Sequence, residues 1–255
     1  MPGPVKTEAV VLRSMRYGEA DRIIHLYTPH RGRIGAIAKG VRRARSRFGG
    51  RLEPFFHLQI ELHEGRGELL TVTGAQTVDG HASLRSDAGT LDAAARACDA
   101  VSRLFETSEP HPGVFHLLCR QLSLLDARAN AGPVRPAEPP PGGARSEWGG
   151  ALAFRLKLLH AAGLAPQLGA CASCGEHEHL VGFSGSAGGV VCSACEAGSF
   201  VLGEDAYAFM VDSLGSALGD APAASEGALA QAERAIAATL EHHANLRLMP
   251  AVARA

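Results

Sequence analysis

The sequence predicts an α+β chain: a small five-stranded barrel at the N-terminus, followed by helices that a cysteine-rich arm interrupts. Three observations predict it. Within the first eighty residues or so, short runs rich in β-branched side chains alternate with turns that carry Gly, Pro and Asp. From Asp87 onward the texture changes to Ala and Leu at helical spacing. Cys171, Cys174, Cys192 and Cys195 then form two C-x2-C pairs inside the helical part. The expected division is a barrel at 1–80 and a helical domain at 81–255, with the arm at 168–200.

Residues 5–14 (VKTEAVVLRS) lack helix punctuation and read as the first strand, with YGEAD at 17–21 as its turn. RIIHLYT at 22–28 is the second, closed by the turn from Pro29 to Gly32, and RIGAIAKG at 33–40 is the third. In FFHLQIELH at 55–63, Phe56, Leu58, Ile60 and Leu62 alternate with Phe55, His57, Gln59, Glu61 and His63, the period of a half-buried strand. ELLTVTGAQTV at 68–78 makes the fifth. Five short strands in so few residues close most economically as a partly open barrel.

Helices are expected at 91–105, 113–127, 151–163, 204–217 and 228–246. Pro110 and Pro112 separate the first two, residues 130–144 form a Pro- and Gly-rich linker, and Gly163 caps the third helix, whose Arg155 and Lys157 are expected to be exposed. Cys98 and Cys119 fall on apolar helical positions and read as small buried hydrophobes.

Charge is unevenly distributed. Residues 1–52 carry twelve Lys or Arg against three Asp or Glu, a net +9 that the whole-chain value of −1 conceals. Lys39, Arg42, Arg43, Arg45, Arg47 and Arg51 cluster in KGVRRARSRFGGR, where Gly40, Ser46, Gly49 and Gly50 predict a mobile loop between the third and fourth strands. Such a segment suits a polyanion, its cations meeting phosphates while aromatic faces stack on bases. Phe48, inside the loop, is the best-placed ring; it either stacks on a base or anchors the loop to the barrel. Tyr17, Tyr27 and Phe55 are further candidates, although Tyr27, like Phe56, reads rather as a core residue. With no base-reading motif visible, binding is expected to be independent of sequence and to weaken with salt. The bland alternative is that the arginines only solvate a surface, but a one-sign block repels itself unless something uses it.

The cysteine quartet is the most specific local signal. Four thiolates fill all the tetrahedral positions of a zinc ion and leave none for water, so one structural Zn2+ is expected rather than a catalytic ion. Iron or disulfides are the alternatives. His177 and His179 lie between the pairs and become unnecessary once four sulfurs are present.

Catalytic constellations are missing from the sequence: it contains no phosphate-cradling G-x-x-x-x-G-K-S/T run, no nucleophile elbow and no acidic cluster for two-metal work, so no enzyme is expected. No run approaches about eighteen apolar residues and no secretion signal opens the chain, so membrane insertion is not expected and a cytoplasmic location is.

The segment YGEADRIIHLYTPHRGRIGAIAKGVRRARSRFGGRLEPF at 17–55 resembles the start of the RecO family of bacterial recombination mediators, and the later helices with Cys171, Cys174, Cys192 and Cys195 resemble its zinc-bearing members. The Pro-rich 130–144 stretch is less matched. The resemblance implies an N-terminal OB-fold, a helical domain with a zinc arm, and a nucleoid-associated protein. It further implies a protein that binds single- and double-stranded DNA, anneals complementary strands and, with RecR, helps load RecA onto DNA coated by single-stranded DNA-binding protein (SSB). The family's basic loop matches Lys39, Arg42, Arg43, Arg45 and Arg47; Arg13, Arg16, Arg22, Arg31, Arg33 and Arg51 extend the same surface on charge alone. The competing reading is a general zinc-containing nucleic-acid chaperone or an RNA-binding module.

Overall fold

Five strands, β1 (Val5–Tyr17), β2 (Asp21–Thr28), β3 (Gly32–Ala38), β4 (His57–His63) and β5 (Leu70–Asp79), close into a barrel of order β1-β2-β3-β5-β4 in the computed structural model, which describes residues 4–43, 46–65, 67, 69–131 and 146–252. Closure depends on the length of β1. Its first half, Val5 to Val10, pairs with β4, and its second half, Val10 to Tyr17, pairs with β2. A bulge between Val11 and Arg13 bends the strand from one neighbour to the other. The remaining seam is a short parallel pairing of Ala36 with Leu70 and Ile37 with Thr71.

The barrel core is the inward half of each alternation. Ala9 and Val11, Ile24 and Leu26, Ala36 and Ala38, and Leu58, Ile60 and Leu62 are fully buried in one cluster. The fourth strand therefore has the apolar face that its sequence predicts, but it starts two residues later, because Phe55 takes a left-handed φ of 73° and its N–H turns to Val11 O.

Two helices share the barrel's unit. α1 (Ala88–Leu104) starts earlier than its apolar stripe predicts because Asp87 accepts the Thr90 N–H at 2.8 Å, an N-cap placed before the first Leu. α2 (Pro112–Asn130) opens on a proline whose missing N–H costs nothing at that position. Both rest against the outer side of the sheet. Tyr27 meets Phe105 edge to face at 6.3 Å, His57 meets Phe115 at 5.5 Å, and the Arg33 N–H donates to Thr107 O. Gly32 permits the close approach: its φ is 50°, and a Cβ there would collide with the carbonyls of Thr107 and Glu109. The two compact units are Met1–Gly132 and Pro133–Ala255, so α1 and α2 sit in the barrel's unit.

The second unit contains α3 (Glu147–Ala161), α4 (Glu204–Gly215), α5 (Glu226–Ala244) and a sheet of order β7-β6-β8 built from β6 (Leu180–Ser184), β7 (Gly189–Cys192) and β8 (Phe200–Val201). Ser146 and Ser225 cap α3 and α5, and Gly163 follows α3 with a φ of 70°. Arg155, expected on an exposed face, is buried: its guanidinium lies 3.7 Å from Glu233 and donates to Met249 O. It thereby ties the C-terminal segment to α3 and α5. The Pro-rich stretch lies almost wholly outside the described residues.

Candidate nucleic-acid interface and metal centre

The basic segment after β3 is a chain of turns. Arg43 N–H bonds Gly40 O, Ser46 N–H bonds Arg43 O, Gly49 N–H bonds Ser46 O, and Arg51 N–H bonds Phe48 O. One end is fixed to the β1–β2 hairpin. The Gly40 N–H donates to Asp21 Oδ1 at 2.7 Å, and Arg42 reaches Ala20 O through its N–H and Glu19 O through its guanidinium. The other end is plugged into the barrel by Phe48 and Leu52, which are 1% and 2% exposed. Of its two readings, Phe48 takes the anchoring one and is not a stacking ring: the side chain belongs to the barrel core, with the Arg47 guanidinium over it at 4.8 Å. Phe48→Ala is expected to destabilise the first unit by about 3 kcal/mol. A melting curve of the variant checks this, and a change within about 0.5 kcal/mol would remove the anchor.

The predicted cations divide into two groups. Three have structural partners. Arg22 points to the barrel mouth and bonds Ser14 Oγ at 3.0 Å and Glu53 at 2.9 Å; Arg31 pairs with Glu64; Arg33 donates to the backbone and hydroxyl oxygens of Ser102 in α1. Arg45 lies outside the described residues. Among the described residues, Arg13, Arg16, Lys39, Arg42, Arg43, Arg47 and Arg51 are exposed and make no salt bridge. Their charge is therefore uncompensated on one unit. Strand register adds a residue the sequence reading passed over. His25 stands opposite Arg13 on the outer face of β2, and burial, with Arg33 and Arg13 after it, holds its imidazolium pKa below the usual value. The alternation in RIIHLYT was the available signal.

Tyr17 is 53% exposed at the hairpin end, whereas Tyr27 and Phe55 are buried. Of the rings considered for stacking, only Tyr17 is free for a ligand among the described residues.

The four cysteines converge. All their sulfurs lie within 4.8 Å of one another, and Cys174 Sγ is 3.7 Å from Cys192 Sγ. A tetrahedral ion with metal–sulfur bonds near 2.3 Å requires sulfurs about 3.8 Å apart, so the donor set fits. Each pair sits on a tight turn. In the first, the Gly175 N–H donates to Cys171 O and Gly175 takes a φ of 82°. In the second, Ser193–Cys195 form one turn of 3-10 helix at the end of β7. Hydrogen bonding favours the thiolate at one position: the Cys192 N–H, ahead of those of Cys174 and Ser173, lowers the Cys171 pKa to about 6. Hydrogen bonds shared with Cys174 and Cys192 push Cys195 up to about 12, so the quartet holds protons that a cation would displace. His177 turns its Nδ1 to Gly169 O, away from the cluster. The arm contains a sheet in which Phe183, Val190 and Val191 are buried.

Fold and site define the class: an OB-type barrel with a cationic face, joined to a helical unit that carries a four-cysteine centre capable of holding a metal ion. Among the described residues, no helix is long and apolar enough to cross a membrane. Residues 1–81 match the family described as "Recombination protein O N terminal", and residues 142–249 match "Recombination protein O C terminal". The protein named "DNA repair protein RecO" in Anaeromyxobacter sp. (strain K) is 37% identical over 252 residues, covering 96% of this chain and 93% of that one. Its namesake in Anaeromyxobacter dehalogenans (strain 2CP-C) is 39% identical over 254 residues, again covering 96% and 93%. In Nocardioides sp. (strain ATCC BAA-499 / JS614) the identity is 39% over 196 residues, covering 74% and 73%. The chain belongs to the RecO family of DNA repair proteins.

Proposed function

We propose that the chain holds single- and double-stranded DNA on the first unit without reading sequence, and that it anneals complementary strands there. With RecR, it assists loading of RecA onto SSB-coated single strands. The observation that carries this reading is the set of seven exposed cations without salt-bridge partners, gathered on one unit of the chain. Annealing needs no nucleophile. A surface that neutralises phosphates on two strands at once lowers their repulsion and raises their effective concentration. A structural zinc ion held by Cys171, Cys174, Cys192 and Cys195 would brace the arm and leave the chemistry of the strands alone.

The test is annealing of complementary SSB-coated oligonucleotides, with and without RecR, across salt. If all seven cations meet phosphate, the logarithm of single-strand affinity should fall with the logarithm of salt with a slope of about −5. Affinity indifferent to salt would refute the electrostatic surface. Annealing of naked strands only, without response to RecR, would favour a general nucleic-acid chaperone.

A further inference from the structure

The second unit carries a charge pattern opposite in sign to that of the first. From Leu158 to Glu233 the chain contains nine Asp or Glu and no Lys or Arg, a stretch that takes in the whole cysteine arm and α4. Four thiolates around a divalent ion would leave the metal centre negative as well. Phosphate is repelled by such a surface, so DNA binding does not extend to it. The same stretch holds a groove. Leu180 and Gly182 on β6, Val190 on β7 and Leu202 after β8 face Tyr207 and Glu204 at the start of α4 across about 300 Å3. Its walls are tied in place: the Tyr207 hydroxyl donates to Leu168 O at 2.9 Å, the Leu202 N–H to Val181 O at 3.4 Å and the Gly203 N–H to Gln231 Oε1 at 2.7 Å.

Acids edge the groove. Asp205 follows Glu204 in the first turn of α4, and His177, which also lines the groove, stands between Glu176 and Glu178. All four carboxylates are exposed, and none makes a salt bridge among the described residues. Glu176 Oε1 accepts the N–H groups of His177 and Glu178 at 2.8 and 3.1 Å, which orders that turn. The cation that packs on this sheet from α5, Arg234, is engaged over the Phe200 ring at 4.0 Å. A preformed groove with an aliphatic floor and unpaired carboxylates at its edge complements an extended peptide in which aliphatic side chains alternate with lysine or arginine. The aliphatic side chains displace water from the floor, and the cations meet the rim.

We propose that this groove docks an extended basic segment of a partner protein, with an aliphatic side chain seated on Leu180 and Leu202 and its Lys or Arg residues on Glu176, Glu178, Glu204 and Asp205. Such docking engages none of the cations assigned to phosphate, so the chain can hold nucleic acid through one unit and a protein through the other.

The experiment measures, by fluorescence anisotropy with the full chain at low salt, the binding of three labelled peptides of equal length: alternating Lys and Leu, alternating Lys and Ser, and alternating Glu and Leu. The Lys–Leu peptide should bind about tenfold more tightly than either of the others. A Glu178→Gln/Glu204→Gln variant removes two rim charges at exposed positions without changing side-chain shape. It should lose about tenfold on the Lys–Leu peptide and nothing on a DNA oligonucleotide. Equal binding of the Lys–Leu and Lys–Ser peptides by the wild type overturns the groove as the seat. Equal binding of the Lys–Leu and Glu–Leu peptides, or full affinity in the variant, overturns the acidic rim. A wild-type chain that self-associates at low salt in sedimentation, and then refuses the Lys–Leu peptide, gives this face to a second copy and overturns the proposal as well.

Discussion

Replacing Cys174 by serine is expected to release the metal and unfold residues 168–200 while leaving the barrel intact. A serine hydroxyl does not ionise at neutral pH, so the ion would be left with three thiolates and an open position. Losing an outer-shell partner already costs roughly 10- to 100-fold in metal affinity, and losing a ligand should cost more. The structural consequence follows from what the cysteines hold. Cys192 ends β7, and its N–H donates to Cys171 Sγ, so the two turns are joined through the centre. Contacts outside the centre also hold the arm, namely the His243 imidazole on Gly185 O, the Tyr207 hydroxyl on Leu168 O, the Arg234 guanidinium over Phe200 and the backbone bonds between Gln167 and Val190, but none of them joins the two cysteine turns. Metal content and limited proteolysis report the two halves of the prediction. Stoichiometric metal in the purified variant would refute the four-sulfur assignment. Loss of metal without new cleavage at 168–200 would make the ion dispensable for the fold.

Reversing Lys39, Arg42 and Arg43 to Glu is expected to lower single-strand affinity by about 100- to 1,000-fold at low salt and to make the salt slope shallower by about 2. The side chains of Lys39 and Arg43 make no bond among the described residues, and that of Arg42 reaches only a surface carbonyl, so the fold should survive. Arg22 and Arg33 are the contrast. Their guanidinium groups are committed to Glu53 and Ser102, so Arg22→Gln or Arg33→Gln should lower stability with little change in salt slope. If the Glu variants bind as the wild type does, the active surface is elsewhere on the chain.

Much of this was legible in the sequence because it depends on short-range periodicity and spacing. The alternation of Leu58, Ile60 and Leu62 located β4, and the spacing of the two C-x2-C pairs marked the four sulfurs that converge. Sequence reasoning missed what depends on direction. In the basic segment, glycines and arginines suggest freedom, but whether Phe48 turns inward depends on a gap in the barrel that Leu52 and Val72 help to line. Charge counting likewise could not separate Arg22, Arg31 and Arg33 from the rest, because their partners lie roughly thirty to seventy residues away in the chain. Arg155 hid for the same reason, its partners being on α5 and in the C-terminal segment. The β6–β7–β8 sheet escaped because its strands are short and embedded in glycines.

The packing of α1 and α2 on the outside of the barrel has a consequence for synthesis. The last barrel strand ends at Asp79, but the helical segment whose Phe105 and Phe115 meet Tyr27 and His57 is complete only at Asn130. At about 5 to 20 residues per second, a ribosome needs roughly 3 to 10 s to supply that difference. For that interval the nascent barrel shows a bare apolar flank, and the chain can complete its first cooperative unit only after the second helix has emerged.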